Sequence, residues 1–173
     1  QEEASQVING ITVAPVTALL QKLNWTALSQ GAAFFIHGDL QLDNIIYDPT
    51  THGFTLVDWR QDFGGTIEYG DIYYDLAKLY AGLVVNYHLA KRGQASFHGD
   101  STGIQIEAPP FADGPLYIKA LEQFITKKNF DLKRVKALVG IIYLNMAALH
   151  RPPFDRFIFS MGRHWLHHNA ELT

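Results

Sequence analysis

The chain of 173 residues has no cysteine, which excludes disulfides and thiolate metal sites. It also lacks a long apolar run. The longest, Gly140 to Leu149, is interrupted by Asn145 and falls far short of the roughly 20 residues that span a bilayer. Basic residues are scarce in the first part: residues 1–80 carry 3 basic and 10 acidic groups, whereas residues 81–173 carry 11 and 7. The strongly basic footprint of a nucleic-acid binder is therefore missing, so neither a nucleic-acid partner nor a membrane span is expected. The start, Gln1-Glu2-Glu3-Ala4-Ser5-Gln6, has neither the basic end nor the apolar core of a signal peptide. With no initiator Met, a processed or excerpted chain is expected, in a cytoplasmic location.

The chain is 47% hydrophobic and 18% charged, and one domain over residues 1–173 is expected from its size. Apolar spacing predicts a short helix over Thr17–Ser29, a buried run over Ala32–Ile36, and a long helix from Asp71 through Tyr87. Asn44–Tyr47 and Gly53–Trp59 read as strands joined by the turn residues Asp48-Pro49-Thr50-Thr51-His52. Residues 91–114, rich in Gly, Pro, Ser and Asp, read as a long loop or small hairpin with weak strands at Ser96–His98 and Ile104–Ile106. Helices are predicted over Pro115–Lys128, Asp131–Leu149 and Pro153–Asn169, the second central to the core, with Asp131 as its N-cap. The whole reads as α+β and mainly helical, with helices around one hairpin.

The acidic groups of the first part concentrate between Asp39 and Asp75, which makes that stretch the place to look for a divalent cation, with a solvated acidic surface as the alternative that composition alone favours. Asp39 and Asn44 stand five apart on one polar loop, and Asp58 follows Asn44 by fourteen residues across the hairpin. A hairpin returns its second strand to its starting edge, which brings Asp58 back beside Asn44. An acidic residue flanked by Leu56, Val57 and Trp59 is costly to bury unless paired or metal-bound. This arrangement suits phosphoryl transfer, which needs a base for the attacking hydroxyl and a carboxylate with an amide to hold Mg²⁺ on the phosphates.

The segment Phe34-Phe35-Ile36-His37-Gly38-Asp39-Leu40-Gln41-Leu42-Asp43-Asn44, followed by Thr55-Leu56-Val57-Asp58-Trp59 and Gly70-Asp71-Ile72-Tyr73-Tyr74-Asp75-Leu76-Ala77, resembles the catalytic loop and metal-binding strand of the aminoglycoside phosphotransferase and choline kinase family. These are small-molecule relatives of the protein kinases. The resemblance implies that Asp39 is the catalytic base, Asn44 a Mg²⁺ ligand and Asp58 the carboxylate joining Mg²⁺ to the nucleotide phosphates. It implies supporting roles for His37 and for Asp75, which would accept backbone N–H groups of the loop. Asp62, in Asp62-Phe63-Gly64, sits four residues past Asp58 and is a candidate for a second metal or a substrate contact. His98-Gly99-Asp100 repeats His37-Gly38-Asp39 without the asparagine five residues on, and reads as a turn.

The resemblance also implies ATP, or another nucleoside triphosphate, and Mg²⁺ as cofactors, with a small-molecule hydroxyl as acceptor. Only Lys22, Gly10 and Gly31 supply lysine and glycine before His37, so the glycine-rich phosphate loop and strand lysine of the small lobe are missing. The chain is thus expected to be the C-terminal, large lobe, with the small lobe in the same longer polypeptide. The net positive second part argues against an aminoglycoside acceptor and for a sugar, an amino alcohol such as choline, or an anionic metabolite. Arg151 and Arg156, near a helix start, are candidates for meeting an anion, with surface ion pairing as their alternative. The competing reading is a kinase-like module that binds nucleotide or a partner without turnover.

Overall fold

The computed structural model describes residues 4–109 and 111–170. The ends of the expected 1–173 domain and one residue of the expected 91–114 loop lie outside them. The architecture is α+β and predominantly helical. Among the described residues its strands form three small sheets, which hold the expected central hairpin, the small hairpin offered for residues 91–114, and further strands that were not expected.

The first sheet begins with a hairpin absent from the sequence expectations, β1 (Gln6–Ile8) and β2 (Ile11–Val13). Asn9-Gly10 joins them, both residues left-handed at φ 49° and 78°, the conformation an Asn-Gly turn favours. A second hairpin, β7 (Ser96–Asp100) and β8 (Gly103–Glu107), joins this sheet through β8, which runs parallel to β1. The Asn9 side chain reinforces that seam, donating to Ile106 O at 3.0 Å and accepting from Ile106 N at 2.8 Å. His98-Gly99-Asp100, expected as a turn, is instead the end of β7, paired with β8, and Asp100 closes the turn that follows by accepting from the Thr102 and Gly103 N–H groups.

The expected helix over Thr17–Ser29 is two short ones, α1 (Val16–Gln21) and α2 (Trp25–Ser29). Asn24 breaks it, because its side chain accepts from Ala27 N and starts a new helix. The Ala32–Ile36 run is not a buried strand. Only β3 (Ala33–Phe34) is extended, paired with β6 (Gly70–Asp71), and Phe35 is 75% exposed. This two-stranded ribbon lies at the surface, with Phe34 against Phe130 and Phe35 against Trp59.

The helix from Asp71 is α3 (Ile72–Val84), capped by Asp71 as expected but ending three residues early. A new cap at Asn86 starts α4 (Tyr87–Leu89), which continues as a π-helical turn over Ala90–Gln94. The remaining helices, α5 (Gly114–Lys127), α6 (Leu132–Ala147) and α7 (Phe154–Asn169), match the predicted pattern, and Asp131 caps α6 by accepting from Lys133 N and Arg134 N. α6 packs between α3 and α7. The core there includes Leu76, Tyr80, Val135, Val139, Tyr143, Phe157, Ile158 and Leu166. The buried Tyr143 hydroxyl donates to Ala81 O at 2.9 Å, tying α6 to α3.

Arg134, on α6 and 6% exposed, ties three other segments together. Its guanidinium donates to the carbonyls of Leu28 and Gln30 and to Asp71 Oδ2, and lies 4.0 Å from the centre of the Tyr73 ring. Asp71 in turn accepts from Ala32 N at 3.1 Å and sits in the β3–β6 ribbon. The loop that follows β3 is thereby anchored to the helical core.

Candidate active site

Residues 35–41 leave β3 as an irregular loop, which a short 3₁₀ turn (Leu42–Asn44) closes before β4 (Ile45–Asp48) and β5 (Gly53–Leu56). The β4–β5 register pairs Ile45 with Leu56, and Val57 N then donates to Asn44 O at 3.0 Å. The residue after Val57 is thereby held beside Asn44, as the hairpin reading expects. Asp58 itself differs from that reading in one respect. The strand stops at Leu56, and Asp58 is exposed and left-handed at φ 60°, so its carboxylate carries no burial cost. What marks it instead is a backbone conformation that costs a non-glycine residue of order 1 kcal/mol or more.

His37 is buried and joins the loop to this strand end. Its Nδ1 accepts from Asp39 N at 3.2 Å, which puts the ring proton on Nε2, 2.8 Å from Val57 O. The ring also lies 4.8 Å from that of Trp59. Asp75, on α3 and 3% exposed, accepts from His37 N at 2.6 Å and Gly38 N at 2.9 Å. Burial pushes its carboxyl above the usual range, the N–H donors of His37, Gly38 and Leu40 pulling the other way. Gly38 is left-handed at φ 80°, and a Cβ there would sit 2.6 Å from Arg60 Cβ. Only glycine fits the tight bend between His37 and Asp39.

Asp39 is held on two sides. Gln41 Nε2 donates to both its oxygens at 2.9 Å, and Lys78 Nζ lies 2.6 Å from Oδ1. Burial raises the Asp39 carboxyl, but the Lys78 hydrogen bond and charge, the Gln41 bond and the Arg60 charge outweigh it and hold the group below its ordinary value of 3.8. Asn44 Nδ2 donates to the main-chain oxygen of Asp39 at 2.9 Å, leaving Oδ1 as the end available to a cation. Asp62 is exposed; its carboxylate accepts from Gly65 N, and it lines a small depression with His37, Gly38 and Arg60. Of the six residues singled out from the sequence, His37, Asp39, Asn44 and Asp75 and the strand end bearing Asp58 form one bonded unit, with Asp62 at its rim. Among the described residues, no group of three or more His, Cys, Asp or Glu is arranged to hold a metal.

Lys78 and Arg60 escaped the sequence reading. The local signal for Lys78 was only its spacing: it follows Asp75 by three residues in a helix, which places both on one face. Buried to 7% exposure, its ammonium has Asp39 as its charge partner. The ion pair contributes stability that is present above the ordinary Asp value and is lost as pH falls through the lower folded value. In Lys78→Met the lysine's hydrogen bond and charge go, while burial and the smaller lowering influences of Gln41 and Arg60 remain, so the Asp39 carboxyl rises. A pH profile of the turnover rate should show its acidic limb displaced upward, with Lys78→Arg closer to the parent. An unmoved limb would mean that Lys78 does not set the charge of Asp39.

A family model described as the phosphotransferase enzyme family matches residues 8–102, over half of the chain and including the whole of this site. The chain belongs to that family. No curated protein and no solved structure gives a match.

Proposed function

We propose that the chain is the large lobe of an enzyme that transfers the γ-phosphoryl group of ATP, with Mg²⁺, to a hydroxyl of a small molecule. The observation that supports this reading is the bonded ring of His37, Asp39, Asn44 and Val57, which ties the loop bearing Asp39, a carboxylate of lowered pKa, to Asn44 and to the strand end that precedes the exposed Asp58. In the reaction the acceptor oxygen bonds to the γ-phosphorus as the bond from phosphorus to the β,γ-bridging oxygen breaks, and ADP leaves. Asp39 orients the hydroxyl and takes its proton. A carboxylate of low pKa removes a proton poorly from a resting alcohol, so the proton moves late, as the new bond acidifies it.

Asn44 Oδ1 and the Asp58 carboxylate are the residues that would hold Mg²⁺. Two oxygen donors fit a cation that commonly keeps waters and takes its other ligands from substrate phosphates. When bound, the ion would offset phosphate charge. His37 and Asp75 hold the loop, and Asp62 stands where a second cation or the acceptor could meet it. A small nucleotide-binding lobe, in the same longer polypeptide, would cover the exposed rings of Phe35, Trp59, Tyr47 and Phe54 around the site, since apolar surface of this kind marks an interaction face.

The test is Mg²⁺-dependent transfer of labelled phosphate from ATP by the full-length protein to sugars, amino alcohols including choline, and aminoglycosides, with Asp39→Asn as the blank. Transfer that vanishes in the blank supports the reading. Tight Mg²⁺-dependent nucleotide binding with no transfer to any acceptor would replace it with a binding module.

A further inference from the structure

A cavity of about 210 Å³ opens between the π-helical turn after α4, strand β7 and the approach to α7. Its polar lining is of one sign: Lys91, His150 and Arg151, with no carboxylate among the lining residues. Phe97, Phe154 and Phe157 supply an apolar wall, and His150 meets Phe154 edge to face at 4.8 Å. Neither Lys91 nor Arg151 has a carboxylate partner among the described residues. Two long cations beside an imidazole, over an apolar wall, form an arrangement suited to an oxyanion with a small carbon skeleton.

The segment that lines the cavity also reaches the loop of the candidate active site: a Cβ at Gly82 would lie 3.9 Å from Tyr87 Cε2 and 4.0 Å from Leu42 N. Tyr87, which opens α4, has a buried hydroxyl without a hydrogen-bond partner, and burial first, then the charge of Asp39, push that hydroxyl's pKa up. One helical turn later the same segment delivers Lys91 to the cavity. From the other side, His150 is held below its ordinary value by burial and then by the charges of Lys91 and of Lys78, the partner of Asp39.

We infer that this cavity binds the carboxylate or phosphate of the acceptor, so that the alcohol phosphorylated at Asp39 is an anionic metabolite. The inference rests on the phosphotransferase reading for the word acceptor, and on the cavity alone for the anion. It runs against choline and aminoglycosides, whose cations would meet Lys91 and Arg151.

The experiment uses the full-length protein with probes matched in skeleton: glucose, glucuronate, glucose 6-phosphate and glucosamine, then glycerol and glycerol 3-phosphate. Binding is read by calorimetry without nucleotide, and transfer by initial rates with Mg²⁺ and ATP. At least one anionic probe should bind about tenfold or more tightly than its neutral parent, and the carboxylate and phosphate arms tell which oxyanion is preferred. Lys91→Met with Arg151→Met should erase that difference; both side chains are exposed, and a thermal melt checks that the fold persists. Equal binding of neutral and anionic probes, tighter binding of glucosamine, or a preference unchanged in the double variant would each overturn the inference. Anion-selective binding with no transfer to any acceptor would sustain the anion site and sink the phosphotransferase reading. Efficient transfer to neutral or cationic acceptors with no anion preference would do the reverse.

Discussion

Asp39→Asn is expected to lower phosphoryl transfer by about 10²–10⁴-fold while leaving Mg²⁺-dependent nucleotide affinity nearly unchanged. The amide keeps the size of the carboxylate and can still bond to Gln41, so the loop geometry of Asn44 and His37 survives. What disappears is the proton acceptor and the charge opposite Lys78. Asp58→Ala should behave differently. It removes an exposed carboxylate that supports no described hydrogen bond, so stability should hold while Mg²⁺-dependent nucleotide binding and turnover fall together. Equilibrium nucleotide binding, measured with and without Mg²⁺ alongside single-turnover transfer, separates the two. Equal loss of nucleotide affinity in both variants would contradict the proposed division of labour.

Arg134→Met is expected to cost about 3 kcal/mol or more of stability, because breaking a buried ion pair by removing one partner leaves the other uncompensated. Here the loss includes the Asp71 carboxylate together with the carbonyls of Leu28 and Gln30. For a chain of this length that corresponds to a fall of about 6 °C or more in melting temperature. Arg134→Lys should recover only part of it, since an ammonium lacks the planar fork that reaches three oxygens at once. Thermal denaturation followed by circular dichroism checks both variants. A melting temperature within a degree or two of the parent would show that the Arg134 network contributes little. Because Asp71 also holds Ala32 N and the β3–β6 ribbon, transfer activity should fall in Arg134→Met before the protein melts.

Local signals in the sequence were informative where the chemistry is local. Asp71 and Asp131 could be read as caps because each stands just before an apolar helical stripe, and the β4–β5 hairpin followed from its turn residues. The loop from His37 to Asn44 was legible because its polar residues sit at fixed offsets within one short segment. Four things escaped for four different reasons. The Asn9-Gly10 hairpin was signalled by its turn but its strands have only three residues each, too few to show a period. The parallel pairing of β1 with β8 joins Ile8 to Ile104, a relation no local pattern encodes. Asp58 was expected inside a strand from its apolar neighbours, yet the strand ends at Leu56 and the backbone turns left-handed. Lys78 was missed because a lysine one turn from Asp75 acquires meaning only when a loop from elsewhere in the chain brings Asp39 to it.

The seam between β1 and β8 also sets an order of events during synthesis. Asp75 lies fewer than 40 residues beyond the loop it holds, so that loop can close while the ribosome is still adding the rest. The first hairpin has no such early partner. Its parallel strand arrives roughly a hundred residues later, and Arg163, which bonds Gln6 and the carbonyls of Val13 and Ala14, arrives later still. At about 5–20 residues per second, that first hairpin waits about 7–30 seconds for Arg163 of α7. The site's core is therefore assembled from the middle of the chain outward, and the two ends are fastened to each other last.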